Sequence, residues 1–129
     1  DSAAQNIMAR ELERQQIQIN INALRSELSV QLQSLLRQIR LAEQQVDTAR
    51  VARNLAEQQL KNEVERFRLG QSTSFQVSRV QQDANVARRS EIFALVSFEQ
   101  NLFSLQVLTG NVYAQYQLES RAGLDDETN

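Results

Sequence analysis

The sequence lacks cysteine, histidine, proline and tryptophan, and only three of its 129 residues are glycine. Without cysteine and histidine there are no thiol nucleophiles, no disulfides, no common transition-metal ligands and no side chain that titrates near neutral pH. Carboxylates, hydroxyls, arginines and the single lysine, Lys61, remain for chemistry. The composition therefore argues against an enzyme, and it predicts neither a metal site nor a cofactor.

The sequence also lacks a large excess of charge of one sign, and it lacks long apolar runs. The formal net charge is -2 and charged residues make up 23% of the chain, so there is no basic surplus to bind a phosphate backbone. The longest apolar run covers residues 92–96, whereas a membrane-spanning helix needs roughly 20 apolar residues. We therefore expect that the chain binds no nucleic acid and does not itself span a membrane.

What the sequence does contain is long stretches without a helix breaker. Residues 1–69 hold neither glycine nor proline, and a second such stretch follows Gly70 and ends before Gly110. Glycine and proline are the residues that most often interrupt regular structure. Four segments are thus predicted: a first helix over 1–69, a tip over 70–74, a second helix over 75–120 that Gly110 could break, and a polar tail over 121–129.

Apolar residues recur at intervals of seven on both predicted helices, and such a repeat forms a seam along which two helices pack. On the first helix the two series are Ile21, Leu28, Leu35, Ala42, Ala49 and Ala56, and Leu32, Ile39, Val46, Arg53, Leu60 and Phe67. On the second they are Val77, Ala84, Glu91, Phe98, Leu105 and Val112, and Val80, Ala87, Ala94, Asn101 and Leu108. We therefore predict an all-α fold, a long antiparallel coiled-coil helical hairpin.

Both seams contain polar residues where a two-helix coil prefers apolar ones, and other apolar residues lie outside the seams. The polar seam residues are Arg53, Glu63, Glu91 and Asn101. The apolar residues outside include Ile17, Ile19, Leu24, Leu36, Leu41, Val51, Leu55, Phe93, Leu95 and Phe103. An isolated hairpin would leave this second stripe in water, and exposed apolar stripes commonly mark partner surfaces. Register drift in an imperfect coil is the alternative explanation.

The segment around Gly70 has the signals of a helix end followed at once by a helix start. Gly70 can adopt the left-handed conformation that closes a helix, and Arg66 and Arg68 place positive charge near the last carbonyls. Thr73 and Gln76 have the spacing of a capping box, in which each side chain bonds the other residue's amide. The sequence therefore predicts a short, stiff reversal, and this structural role alone explains Gly70 and Thr73.

Three stretches around this reversal form a recognisable pattern: Phe67-Arg68-Leu69-Gly70-Gln71-Ser72-Thr73-Ser74-Phe75-Gln76-Val77, then Gln81-Gln82-Asp83-Ala84, and a later Leu108-Thr109-Gly110. With these stretches the chain resembles the C-terminal helical hairpin of TolC-like outer-membrane efflux proteins. The resemblance covers about residues 20–115. In that family an aromatic residue, two variable positions, a glycine and a short polar turn precede the apolar start of the next helix.

The resemblance implies that the chain is a periplasmic part of a Gram-negative outer-membrane protein. Such proteins are homotrimeric conduits whose helices form a tunnel across the periplasm, capped by a β-barrel that this chain does not include. Their hairpin tips meet the coiled-coil tip of a periplasmic adaptor (membrane fusion) protein. By position, the adaptor-docking tip would consist of Arg68, Leu69, Gly70, Gln71, Ser72 and Thr73.

The resemblance also implies a pore entrance on the helix after the tip, where the family archetype carries two acidic residues. The corresponding residues here are Gln76 and Arg79, which puts an acidic constriction in doubt. Asp83 could supply a carboxylate ring through threefold symmetry. It could instead pair with Arg79 at the i, i+4 spacing, and we favour this local pair.

Two other classes of protein fit a helical hairpin. The first is the coiled-coil hairpin of a periplasmic adaptor, whose tip typically carries an Arg-Leu-Ser type sequence, whereas this chain has Arg68-Leu69-Gly70. The second is a generic structural coiled coil, which predicts dimerisation and no special role for the tip. A flanking lipoyl-like domain in the parent gene would favour the adaptor, and an upstream copy of the hairpin would favour the efflux duct.

Overall fold

The computed structural model describes residues 1–127, and the surroundings of side chains through residue 123. This part of the chain folds into two α-helices, α1 (Ser2–Arg68) and α2 (Ser74–Glu127), and contains no strand. The two helices pack against each other, which confirms the all-α helical hairpin. Contacts within the chain divide it into two compact units, Asp1–Leu36 and a second unit that starts at Arg37.

The first unit is the beginning of α1. Asp1 caps the helix, because its Oδ1 accepts a hydrogen bond from the Ala3 amide at 3.3 Å. Polar side chains four residues apart form hydrogen bonds here: the Gln16 side-chain amide donates to Asn20 Oδ1 at 3.2 Å, and Gln18 donates to Asn22 in the same way. Such pairs stabilise an exposed helix by about 0.2–0.5 kcal/mol each, so they support α1 over residues 16–22, where nearly all side chains are exposed.

The seam runs through the second unit. All of the predicted seam residues over 39–63 and 77–101 are buried or half-buried. The buried apolar ones are small: Ala42, Val46, Ala56 and Ala84. Small side chains let two helices approach closely, but they also make a thin core. No large side chain is fully buried among the described residues.

Helix α2 differs from the predicted second helix at its C-terminal end. Gly110 does not break it, and residues 121–127 continue the helix instead of forming a polar tail; residues 128–129 lie outside the described part. A glycine inside a helix costs only about 1 kcal/mol, and the Thr109 hydroxyl donates to the carbonyls of Leu105 and Gln106 at 3.0 and 3.1 Å. Only Gly70 has a positive φ among the described residues.

Helix α2 also contains a segment whose mean hydropathy is high over the length of a membrane span, although its uninterrupted apolar runs are short. Between Ser74 and Gly123 it contains an 18-residue window long and apolar enough to cross a membrane, and none of that window is buried. A single helix of this kind is weak support for a membrane span, since core helices of soluble proteins meet the same criteria.

Candidate docking tip and lateral groove

The reversal between the helices is a Schellman motif. Gly70 has φ of 74°, and its amide donates to the Phe67 carbonyl at 3.0 Å while the Gln71 amide donates to the Arg66 carbonyl at 2.8 Å. A side chain at position 70 would find open space, so the backbone conformation, not crowding, requires glycine. The predicted helix stop therefore has the expected physical cause.

Thr73 caps α2, but it does so with only one of the two expected hydrogen bonds. Its Oγ1 accepts from the Gln76 amide at 3.2 Å, and its carbonyl accepts from the Val77 amide at 3.0 Å. The return bond from the Gln76 side chain to the Thr73 amide is not formed among the described residues. The capping-box prediction is thus correct for the hydroxyl and wrong for the amide side chain.

A buried carboxylate ties the reversal to α1, and sequence reasoning treated it only as a fault in the seam. Glu63 is 8% exposed. One of its oxygens accepts a hydrogen bond from the Ser72 hydroxyl, and the other accepts from Arg66 Nη1 at 3.2 Å. Arg66 Nη2 also donates to the Gln71 carbonyl at 3.2 Å. Ser72, predicted as a docking residue, is therefore half-buried and directed toward the hairpin.

Arg68, the predicted flank of the docking tip, is engaged by its own helix. Its guanidinium makes two hydrogen bonds to Glu65, of 3.0 and 2.6 Å. The bond with Arg68 lowers the pKa of Glu65, and the same bond raises the pKa of Arg68. Both side chains are mostly exposed, so forming the pair costs little desolvation, and it leaves the end of α1 with little unpaired charge.

The tip exposes large apolar side chains beside its polar ones. Leu69 is 56% exposed and Phe75, on the first turn of α2, is 77% exposed. Phe67 and Gln71 are exposed as well. Phe67 was predicted to lie in the seam, which is wrong because it is 47% exposed, and Phe75 was treated only as part of the tip motif. Both residues flank the predicted reversal, and this is the signal that could have singled them out as surface residues.

The predicted entrance residues lie on one side of α2 but do not form the favoured pair. Gln76, Arg79 and Asp83 are three and four residues apart, which places them on a common helix face, and the latter two are exposed. No ion pair joins Arg79 to Asp83 in the part of the chain that the structure describes. A cation that precedes an anion by four residues has the less favourable orientation for such a pair, so the preference for the local pair was wrong.

Two of the polar seam residues satisfy each other across the hairpin. Arg53 Nε donates to Glu91, and Arg53 Nη1 donates to Glu57 at 3.0 Å. Arg88 Nε donates to Glu57 at 2.9 Å, and Arg50 lies 3.7 Å from Glu91. The hydrogen bond from Arg88 is the main reason that the pKa of Glu57 lies below its usual value. We call these five residues the ionic cluster.

A groove between the same two helices carries no charge. Ten residues line it and all are uncharged; those that define what we call the neutral groove are Leu41, Thr48, Ala52, Ser90, Phe93 and Ser97. Its floor is made of alanines and small hydroxyl residues, and Phe93, 72% exposed, and Leu41, 57% exposed, stand at its sides. Several of the apolar residues predicted to lie outside the seam are thus in water.

The described residues offer exposed surfaces for contact at the tip and along the neutral groove. Among the described residues, no three His, Cys, Asp or Glu side chains come close enough together to hold a metal ion. No protein-family model, no curated protein and no solved structure matches the chain. The resemblance to TolC-like efflux proteins therefore stays a prediction from the sequence.

Proposed function

We propose that the chain is a periplasmic helical hairpin of a TolC-like outer-membrane efflux duct, docking by its tip to a periplasmic adaptor protein. One observation carries the proposal. The reversal is closed by a Schellman motif and an N-cap within a few residues, yet it exposes Leu69 and Gln71 at the end of the hairpin. A loop that serves only to connect two helices has no need of an exposed leucine and phenylalanine on a stiff frame.

The sides of the hairpin support the second part of the proposal, that it forms a wall of a homotrimeric tunnel. The core of the hairpin is thin, and large apolar side chains such as Val51, Leu55 and Phe93 remain exposed. Exposed apolar surface of this extent is typical of helices that pack against neighbours. The duct itself is passive in this proposal, so the chain contributes shape and contacts and no reaction.

Cross-linking can test the docking tip directly, because the chain has no cysteine of its own. A single cysteine at Gln71, with the adaptor encoded beside the parent gene carrying cysteines at its hairpin tip, should give a disulfide-linked adduct. The matched control is Gln58→Cys, at another exposed glutamine on the shaft of α1. Equal adducts at both positions, or none at Gln71, would contradict docking through the tip.

A second experiment tests the shape of the tip in the complete protein. Gly70→Val places a β-branched residue at a positive φ, which costs about 1–2 kcal/mol locally, while Gly110→Val alters a glycine in an ordinary helical conformation. We expect Gly70→Val to reduce export much more than Gly110→Val at equal protein level. If the chain is instead an adaptor hairpin, Gln71→Cys should cross-link to an outer-membrane duct protein.

A further inference from the structure

Glu63 occupies a position that should favour an apolar residue. It continues the seam series that includes Ala49 and Ala56, and its side chain is only 10% exposed. Burial of a carboxylate is costly unless its oxygens find partners, and replacing a buried ionic group by an apolar one is often neutral or stabilising. A leucine would pack in the seam at this point, so the stability of the shaft gives no reason for a glutamate.

The partners of Glu63 supply that reason, because they belong to the reversal. Oε1 accepts from the hydroxyl of Ser72, nine residues along the chain, and Oε2 accepts from Arg66. Arg66 in turn donates to the carbonyl of Gln71. One carboxylate therefore holds two consecutive residues of the reversal, Gln71 through the arginine and Ser72 directly.

We infer that Glu63 is a positioning residue of the docking tip, which fixes the reversal in the single arrangement that presents Leu69 and Gln71. The inference rests on the proposed function for the adaptor as the binding partner, and on the hydrogen bonds of Glu63 for the way in which the reversal is held. A loop that is ordered before binding loses less conformational entropy when its partner arrives. Glu63 thus gives less favourable packing in the seam but orders the tip, and it does so without contacting the adaptor.

The test separates the tip from the shaft by using Glu63→Leu in the 129-residue chain. This variant should leave helix content unchanged and should keep or raise the urea midpoint, since it completes the seam. It should nevertheless speed amide exchange at Gly70 and Gln71 by about tenfold relative to the core of α1, and weaken binding of the isolated coiled-coil hairpin of the adaptor by a similar factor. Loss of a residue with a merely structural role would instead speed amide exchange and lower the urea midpoint together.

Glu65→Gln is the matched control, because Glu65 lies two residues away and bonds only Arg68 with its side chain. Its exchange at Gly70 and Gln71 should equal that of the unaltered chain. Ser72→Ala should loosen the reversal in the unaltered background and add little to Glu63→Leu, since residues of one network are not additive. Unchanged exchange at Gln71 in Glu63→Leu would overturn the inference.

The two proposals can fail separately. If Glu63→Leu loosens the reversal while the unaltered chain binds no adaptor hairpin, the positioning of the reversal is supported and the proposed docking function is overturned. If the unaltered chain binds and Glu63→Leu binds equally well, docking is supported and the role of Glu63 is overturned.

Discussion

The two sides of the hairpin between α1 and α2 have opposite chemistry. On one side the ionic cluster joins the helices through Arg53 and Glu91 and through Glu57 and Arg88. On the other side lies the neutral groove, lined by residues such as Ala52 and without a charged side chain. Helical spacing places the two on opposite flanks of the seam, since Arg50 and Glu57 follow seam residues on one flank and Gln45 and Ala52 precede them on the other.

The difference separates the contacts that hold the two helices together from the surface that stays exposed. The charges at the ionic cluster find partners inside the hairpin, so two of the four polar seam residues need no neighbouring subunit. The neutral groove has no comparable partner within the described residues. In the proposed homotrimer, neighbouring copies of the chain should therefore pack against the neutral groove and not against the ionic cluster.

The largest effect is expected from breaking the ionic cluster on one side only. Arg53→Leu leaves Glu91, whose side chain is 13% exposed, without its main partner and should lower the free energy of unfolding by about 1–3 kcal/mol. The double variant Arg53→Leu/Glu91→Leu should regain most of that loss, because two apolar residues replace the pair. Urea unfolding followed by circular dichroism measures both, and Arg40→Leu, at an exposed residue outside the cluster, is the control. A double variant no more stable than the single one would contradict this account.

Enlarging an alanine distinguishes the groove from the seam. Ala52→Leu, in the exposed groove, should change the free energy of unfolding of the chain by no more than about 0.5 kcal/mol. Ala56→Leu, four residues further in the buried seam, should cost about 1–3 kcal/mol through overpacking. In the complete protein the order should reverse for assembly, with Ala52→Leu reducing the trimer seen by chemical cross-linking. Intact trimer with Ala52→Leu would remove the groove from the proposed interface.

The two sides also show what a sequence can and cannot give. The seam of small residues, the glycine stop and the hairpin follow from spacing, because helical periodicity and backbone conformation are local properties. The pairing of Arg53 with Glu91 is not local: the residues are 38 positions apart, and only the alignment of α1 with α2 brings them together. Without that alignment, both residues looked like faults.

The same limit explains what the sequence did not show at the tip and in α2. The bond of Arg68 to Glu65 depends on side-chain rotamers, and the docking role of Arg68 stays a prediction. Glu63 was interpreted only as a fault in the seam because its partner Ser72 lies beyond the reversal. The break at Gly110 was expected from residue type alone, whereas the helix continues through it. Contacts decided each of these cases, and the composition did not.

Acid should weaken the ionic cluster and spare the neutral groove. The pKa of Glu57 is lowered in the folded chain, chiefly by its hydrogen bond with Arg88. A lowered folded pKa gives stabilisation that is present above the usual glutamate pKa of 4.5 and is lost as pH falls below it. Between pH 6 and pH 3 the urea midpoint of the unaltered chain should therefore fall more than that of Glu57→Gln. Parallel pH profiles would show that Glu57 contributes nothing to the cluster.

The smallest effect is expected at the outermost member of the cluster. Arg50 lies 3.7 Å from Glu91 and its side chain is 51% exposed, so Arg50→Ala should cost only about 0.2–1 kcal/mol. Because the Arg50 guanidinium is hydrated and 3.7 Å from the carboxylate, this cost should disappear in 1 M NaCl, where charges are screened beyond about 3 Å. The cost of Arg53→Leu should persist in the same salt, since that loss comes from a carboxylate held away from water. If salt abolished both costs equally, the pair of Arg53 with Glu91 would be a surface ion pair like that of Arg50 with Glu91. The ionic cluster would then not hold the hairpin together, and its contrast with the neutral groove would lose its basis.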